Sequence, residues 1–113
     1  MAQSNVSMKF KRGDTFRRDI QLTDPNDDDA PIPITDWVIR SQVRYGTTMA
    51  AEVTVEITDA AAGEFTLSME PAVTATLGPR TYLCDVEFTM LDGSKVSSET
   101  FYLIVEKDVT YDA

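Results

Sequence analysis

Apolar and polar residues alternate along most of the chain after residue 15, and this spacing brings every second side chain to one face of a β-strand. No stretch keeps a helical stripe for more than two turns. The first such strand runs from Phe16 to Thr23 and ends at residues 24–29, a cluster of Asp, Asn and Pro that is typical of a turn. The pattern therefore predicts an all-β protein.

Two further strands are predicted in the middle of the chain. The first has Trp37, Ile39 and Val43 on one face and Arg40, Gln42 and Arg44 on the other, and the second has Val53, Val55 and Ile57 on one face. If the two strands pair, Arg40 and Arg44 face Glu52 and Glu56 as exposed ion pairs, each worth about 0.2–1 kcal/mol.

Short helical turns separate the next strands. Residues 59–63 predict one turn that begins at Asp59 and stops at Gly63, because glycine tolerates a left-handed end. A strand with Phe65, Leu67 and Met69 on its apolar face follows. Residues 71–77 then predict a short helix with proline in its first turn.

The last third of the chain predicts a long hairpin, with strands from Thr81 to Met90 and from Lys95 to Glu106. Its turn contains Asp92-Gly93, which suits a tight primed turn. The buried face of the hairpin is predicted to hold Tyr82, Cys84, Val86, Phe88, Met90, Phe101, Leu103 and Val105.

Six or seven short strands in about a hundred residues favour an immunoglobulin-like antiparallel β-sandwich of about seven strands with one or two short helical turns. Tyr82 lies two residues before Cys84, the position of a tyrosine corner in such domains. We expect an N-terminal arm at residues 1–8, a sandwich at 9–107 and a C-terminal tail at 108–113. The predicted structural core includes Trp37, Tyr82, Cys84, Phe88 and Phe101.

Composition narrows the chemistry available to this fold. The 113 residues include no histidine and one cysteine, which removes histidine-based triads, histidine metal ligands and an internal disulfide. The carboxylates fall in turns or on the polar phase of strands, where they serve as solubilising charge. We therefore predict a protein that is not an enzyme and uses no cofactor or metal.

The net charge of −9 is unevenly distributed. Residues 1–23 carry a net charge of +3 and the remainder carries −12, so we expect neither nucleic acid nor a membrane as a partner. The basic segment is either an edge strand protected by its charges or a surface that docks on a neighbouring copy or partner. The candidate subunit contacts are Lys9, Lys11, Arg12, Arg17 and Arg18, together with Tyr102 and Ile104 on the outward phase of the last strand.

Two short motifs have alternative interpretations. Arg12-Gly13-Asp14 spells an integrin-binding tripeptide, but Gly13-Asp14 equally forms a turn before the next strand, and we favour the turn. Asp24, Asn26 and Asp28 have the spacing of the first calcium ligands in an EF-hand, but Asp29 and Thr35 occupy the positions that need Gly and Glu. A standard EF-hand is excluded, while a looser calcium site stays open beside an ordinary solvated turn.

An ordered set of segments resembles a known family. These segments are similar to the small immunoglobulin-like domains of tailed-bacteriophage virion proteins, in particular the N-terminal module of upper baseplate proteins. They are "MKFKRGDTFRRDIQLTD", "PIPITDWVIRSQVR", "VEITDAAAGEFTLSM" and "GPRTYLCDVEFTMLDGSKVSSETFYLIVEKDVT". The resemblance covers roughly residues 8–110. A baseplate protein would continue beyond Ala113 into a linker and receptor-proximal domains.

The resemblance implies a non-enzymatic virion component, made in the host cytoplasm, that contacts other virion proteins and forms a homo-oligomer or ring. It would be a tail, baseplate or collar adaptor or a capsid decoration protein. The alternative is a free-standing bacterial immunoglobulin-like module that binds a carbohydrate or a protein through loops at one end of the sandwich.

Overall fold

In the computed structural model, residues 7–98 and 100–107 are described, and they form ten strands and one short helix. The elements are β1 (Ser7–Lys11), β2 (Phe16–Gln21), β3 (Thr23–Asp24), β4 (Ala30–Pro31), β5 (Val38–Tyr45), β6 (Thr48–Asp59), β7 (Glu64–Met69), α1 (Pro71–Thr74), β8 (Arg80–Thr89), β9 (Lys95–Ser97) and β10 (Phe101–Glu106). No helix among these residues is long and apolar enough to cross a bilayer.

Eight of the ten strands form two packed sheets, and β3 pairs with β4 in a separate two-stranded sheet. The larger sheet has the order β1-β10-β8-β5-β6, with β9 beside β8, and the smaller sheet has the order β6-β7-β2. All of these pairs are antiparallel except β1 with β10, which is parallel. This is an immunoglobulin-like β-sandwich, as the alternation of apolar residues predicted.

One strand belongs to both sheets. The first half of β6 pairs with β5, up to Val53 opposite Ser41, and its second half pairs with β7 from Thr54 onward. The β6 side of the sandwich is therefore closed by a continuous strand, whereas β1 and β2 are the two edges at the opposite side. Phe10 and Phe16 close that side between the sheets, with ring centroids 5.2 Å apart.

The core is made by the inward phase of the long strands. Tyr82, Cys84, Phe88 and Phe101 are buried as predicted. Trp37 differs from the prediction because it precedes β5 and is only partly buried, packing edge-on against Phe88 at 6.2 Å.

Tyr82 forms the predicted tyrosine corner. Its hydroxyl donates a hydrogen bond to the Gly78 carbonyl oxygen at 2.9 Å. The bond joins the start of β8 to the connection that follows α1, so it fixes the corner between the two sheets.

Other predicted details are wrong. The helix is four residues long and ends at Thr74 rather than at Leu77. The last hairpin strand is interrupted between Ser97 and Phe101, where the pairing with β8 shifts by one residue. In its turn only Gly93 has a positive φ, 87°, so the turn is not the primed type that needs two such residues.

The exposed ion pairs of the middle strands are only partly as predicted. Arg40 lies 3.8 Å from Glu52. Arg44 and Glu56 are far apart in register, because β6 has left β5 by Glu56 and pairs there with Thr66 of β7. Ile57 is consequently 39% exposed rather than on a buried face.

The N-terminal boundary also moves. β1 begins at Ser7, and Met8 and Phe10 pack against the core, so the expected arm at 1–8 overlaps the sandwich by two residues. Residues 1–6 of that arm, and the whole expected tail at 108–113, lie outside the described part of the chain.

Candidate interaction surface

The parallel pairing of β1 with β10 places candidate contact residues from the start of the chain beside candidates from its last strand. Lys9 is in register with Ile104, and Ser7 is in register with Tyr102. Lys9 is exposed, while Tyr102 and Ile104 are half-buried. Lys11 follows Lys9 on the same phase of β1, so four of the seven candidate contact residues lie on one face.

This face continues across the larger sheet. Tyr102 is in register with Leu83 of β8, Leu83 with Arg44 of β5, and Arg44 with Met49 of β6. Leu83 is 38% exposed and Met49 is 46% exposed, so this row leaves apolar side chains open to solvent on both sides of Arg44. We call the surface formed by Lys9, Tyr102, Ile104, Leu83, Arg44, Met49 and Asp85 the outer sheet face.

The sequence did not identify Leu83, which lies at the middle of this surface, as a candidate contact residue. Leu83 lies between Tyr82 and Cys84, on the phase of β8 that faces away from the core. An apolar residue at an outward position was a visible signal, but the register that places it beside Tyr102 was not.

Three charged residues of the outer sheet face, Lys9, Arg44 and Asp85, take no part in the ion pairs that the structure describes. Among the described residues the ion pairs within 4.0 Å are Arg17 with Asp19, Arg40 with Glu52 and Lys95 with Glu87. Lys9, Arg44 and Asp85 make none of these pairs. Arg44 instead donates hydrogen bonds to Gln42 Oε1 at 2.7 Å and to the Thr47 carbonyl oxygen at 3.2 Å.

The register orders these unpaired charges. Lys9 lies level with Thr81 through Ile104, and Arg44 lies level with Leu83. Asp85 follows two residues later on β8, level with Gln42. Arg44 therefore lies within the row, between Leu83 and Met49, while Lys9 on β1 and Asp85 on β8 lie two residues to either side of it.

Hollows on this face are small. One has a volume of about 80 Å³ and is lined by residues that include Arg40 and Glu87, and the other has about 170 Å³ and is lined by residues that include Leu83 and Thr100. Small-molecule sites usually have about 300–1,000 Å³. A surface with such shallow relief suits a protein partner better than a small ligand.

The other candidate cations differ in their placement. Lys11 is exposed on the same phase of β1 as Lys9 and lies in register with Glu106. Arg12 donates from Nε to the Ala75 carbonyl oxygen at 2.8 Å, which ties the β1–β2 turn to the end of α1. Arg17 pairs with Asp19 at 3.4 Å on β2, away from the outer sheet face.

Arg18 protects an edge strand. It occupies an inward phase of β2, its guanidinium carbon lies 5.1 Å from the centroid of the Phe16 ring, and Nη1 donates to the Arg17 carbonyl oxygen at 2.7 Å. An inward-pointing charge that hydrogen-bonds to a backbone acceptor hinders the pairing of another strand with the edge of the sheet. For Arg18 the edge-protection interpretation of the basic segment fits better than subunit contact.

The smaller sheet carries a different feature. A groove of about 460 Å³ is lined by Arg17, Asp19, Ile20, Gln21, Thr58, Glu64 and Phe65. Asp19 Oδ1 accepts a hydrogen bond from the Thr66 hydroxyl at 2.8 Å. The groove is large enough for a small polar ligand.

Cys84 is a core residue. Burial raises the pKa of its thiol to about 11, with the negative charge of Asp85 adding to the rise and a hydrogen bond with Ser41 opposing it. The two side chains are 3.3 Å apart. A thiol protonated at neutral pH in this environment is a poor nucleophile.

The two sequence motifs form turns. Gly13 has φ 89° and the Asp14 amide donates to the Lys11 carbonyl oxygen at 3.0 Å, which confirms a turn at Arg12-Gly13-Asp14. Asp24 Oδ1 accepts from the Asn26 amide at 2.9 Å. Within residues 7–98 and 100–107, no group of three or more His, Cys, Asp or Glu side chains is placed to hold a metal ion.

No protein-family model and no curated protein matches the chain. Among solved structures, CopC from Methylosinus trichosporium OB3b is similar at 13% identity and a TM-score of 0.48, over 99% of this chain and 91% of that one. Murine CRIg is similar at 16% identity and a TM-score of 0.42, over 89% and 92%. The fold assignment rests on the strand order described above.

Proposed function

We propose that this protein is a non-enzymatic structural component of a tailed-phage virion that acts through contacts between subunits, as a tail, baseplate or collar adaptor or a capsid decoration protein. Support for the virion comes from the ordered segments that resemble phage immunoglobulin-like domains. Support for action by contact comes from the outer sheet face, where Lys9, Tyr102 and Ile104 lie together beside an exposed Leu83.

The juxtaposition on the outer sheet face is the observation that carries the contact role. Apolar side chains that stay exposed close together on a folded domain mark sites of protein interaction. The cations beside the row add orientation, because charged groups around an apolar centre select partners and steer association.

The experiment is to grow the phage with an epitope-tagged copy of the protein and to analyse purified particles by mass spectrometry and by a density map. We expect a fixed copy number per particle, with this domain at a repeating position. A Leu83→Asn variant should enter particles at least about tenfold less, since one central contact is worth more than about 1.4 kcal/mol. A matched Ile57→Asn variant, altered on the other sheet, should enter normally. Absence of the protein from purified particles would refute the proposal.

A second candidate is the free-standing bacterial binding module, and the groove on the smaller sheet favours it. Arg17, Asp19, Gln21 and Glu64 line that groove with planar polar groups, and the half-buried Ile20 adds apolar surface. Such a lining suits the hydroxyl groups of a sugar. Glycan-array binding that is lost in Gln21→Ala, with the protein absent from virions, would select this candidate.

A further inference from the structure

We propose that Asp92, at the tip of the β8–β9 hairpin, is a site of spontaneous conversion to isoaspartate, and that the hydrogen bonds of the folded turn hold this reaction back. The modification therefore marks chains in which the turn has opened. It is a property of this turn and does not depend on the proposed function.

The sequence makes Asp92 the most reactive aspartate of the chain. Isoaspartate forms when the main-chain nitrogen of the following residue attacks the side-chain carboxyl carbon, and a side chain on that following residue obstructs the attack. Asp92 is followed by Gly93, and no other Asp or Asn in the chain precedes a glycine. A Cβ placed on Gly93 would meet no atom within 4 Å, so the space beside this peptide is open.

The chemistry balances with water as the only co-reactant. The Gly93 nitrogen forms a bond to the Asp92 carboxyl carbon and loses its proton, while one carboxyl oxygen leaves as water. The product is a five-membered succinimide ring, which a second water molecule opens at one of its two carbonyl carbons. Attack at the main-chain carbonyl leaves the chain running through the former side chain, which is isoaspartate. Attack at the other carbonyl restores Asp92.

The folded turn opposes the attack at both reacting groups. The Gly93 amide donates to the Met90 carbonyl oxygen at 3.0 Å, and the Ser94 amide donates to Asp92 Oδ1 at 2.8 Å. The carboxylate is thus held at the Ser94 amide rather than at the Gly93 nitrogen. Hydrogen bonds from the hydroxyl and the amide of Ser94 also lower the pKa of Asp92, and an ionised carboxylate resists attack by a nucleophile.

Few contacts keep this turn closed. β9 is three residues long, its residues are all exposed, and it pairs with β8 at three register positions. Leu91, beside Asp92 in the turn, is 72% exposed. A segment with so little buried surface opens locally at a lower free energy than the whole domain unfolds. In the native protein the reaction should therefore follow local opening of the turn.

Conversion to isoaspartate changes the hairpin. It inserts one carbon atom into the main chain between Asp92 and Gly93. The turn then cannot keep the hydrogen bond from Gly93 to Met90 and the pairing of Thr89 with Lys95 in their present geometry. We expect the modified chain to lose the pairing of β9 before any other strand.

The test is incubation of the full chain for several weeks at neutral pH and physiological temperature, both native and unfolded in guanidinium chloride, followed by trypsin digestion. The tryptic peptide of residues 81–95 contains Asp92 together with Asp85, which is an internal control. Isoaspartate leaves the mass unchanged, so chromatography separates the isomers and fragmentation locates them. We expect isoaspartate at Asp92 and not at Asp85. It should form at least about tenfold faster in the unfolded chain, because the native turn must first break two hydrogen bonds.

Two variants make the result specific. Ser94→Pro removes the amide that holds the Asp92 carboxylate, so the folded variant should react faster than the folded wild type. Asp92→Glu should abolish the product, because the longer side chain cannot close the five-membered ring. Thermal melts show whether each variant folds, and the comparison of native with unfolded wild type stands without them.

Three results would each overturn the inference. The first is an unfolded chain that forms no isoaspartate at Asp92. The second is a native wild type that reacts as fast as the unfolded chain. The third is a folded Ser94→Pro variant that reacts no faster than the folded wild type.

Discussion

The Tyr82 hydroxyl reaches back four residues and donates to the carbonyl oxygen of Gly78, 2.9 Å away, while the Tyr82 side chain itself is almost completely buried. The bond gives a buried polar group its partner at the point where the chain enters β8. It also fixes the start of the strand that lies at the centre of the larger sheet.

Replacing Tyr82 by Phe removes the hydroxyl and leaves the Gly78 carbonyl oxygen without this donor. We expect a loss of about 1–2 kcal/mol in the free energy of unfolding, the usual cost of one hydrogen bond and an unsatisfied partner. Urea denaturation measures it. Tyr102→Phe is the control, and a change of similar size there would show that the loss at Tyr82 is not specific to the corner.

Alanine substitutions at Gly63 and Gly46 distinguish the cost of a strained backbone from the cost of a steric clash. Both have positive φ, 71° and 62°. A Cβ at Gly63 would collide with the Ile32 carbonyl oxygen, whereas a Cβ at Gly46 would meet nothing within 4 Å. We expect Gly46→Ala to cost about 1 kcal/mol and Gly63→Ala to cost at least about twice as much, because only the second displaces backbone. Equal losses in denaturant titrations would contradict this assignment.

Thr74 connects α1 to the β1–β2 turn. Its hydroxyl donates to the Asp14 carbonyl oxygen at 2.7 Å, and the residue is fully buried. Thr74→Val keeps the shape but removes the donor, so we expect a loss of about 1–3 kcal/mol in the free energy of unfolding. Thr76→Val is the matched control, since Thr76 is exposed and should change stability by less than about 0.5 kcal/mol.

Cys84 should make stability depend on pH in the alkaline range. The folded state raises the pKa of its thiol from 9.0 to about 11, so the folded protein holds this proton more tightly than the unfolded chain does. The stability that this difference provides is fully present below about pH 9 and is lost as the pH rises towards 11. Two pKa units correspond to about 2–3 kcal/mol at most.

The measurement for Cys84 is the free energy of unfolding from pH 7 to pH 11 in wild type and in Cys84→Ala, which lacks the titrating group. The slope between pH 9 and 11 should be smaller in the variant. Labelling by an aromatic disulfide reagent at neutral pH should also be slow in the native protein and fast in urea. Rapid labelling of the native protein would show that the thiol is accessible.

Deletions at the N-terminus distinguish an arm from a strand. Removal of residues 1–11 takes away β1, including Met8 and Phe10, which pack against the core. We expect it to lower the melting temperature strongly, and to lower it more than removal of residues 1–6, which keeps β1. Only the shorter deletion therefore tests a role for the arm in virion incorporation.

The sequence predicted the long strands well because each has a face that must be buried. The inward residues of β8 and β10, such as Cys84 and Leu103, follow the period of two without interruption. β1 was harder to recognise because only two of its residues, Met8 and Phe10, are apolar, and they alternate with polar residues. An edge strand with one neighbour needs less apolar surface than a central one.

The alternation of apolar and polar residues does not predict which strands pair with each other. The period of two says which side chains share a face, but not that β6 leaves β5 after Val53 and joins β7. The candidate interaction surface could not be predicted either, because it also depends on which strands pair. Lys9 and Ile104 are 95 positions apart in sequence, and only the parallel register of β1 with β10 makes them neighbours.

The parallel pairing also determines how the folded domain bears a pulling force. β1 enters the sheet at Ser7 at one end of the sandwich, and β10 leaves it at Glu106 at the other, with five register pairs between them. Tension applied through residues 7 and 106 acts along the strands, so these pairs are loaded together in shear rather than opened one after another. A domain tethered at both ends would resist extension as a mechanical clamp, and its lifetime under load would be governed by the rate of unfolding.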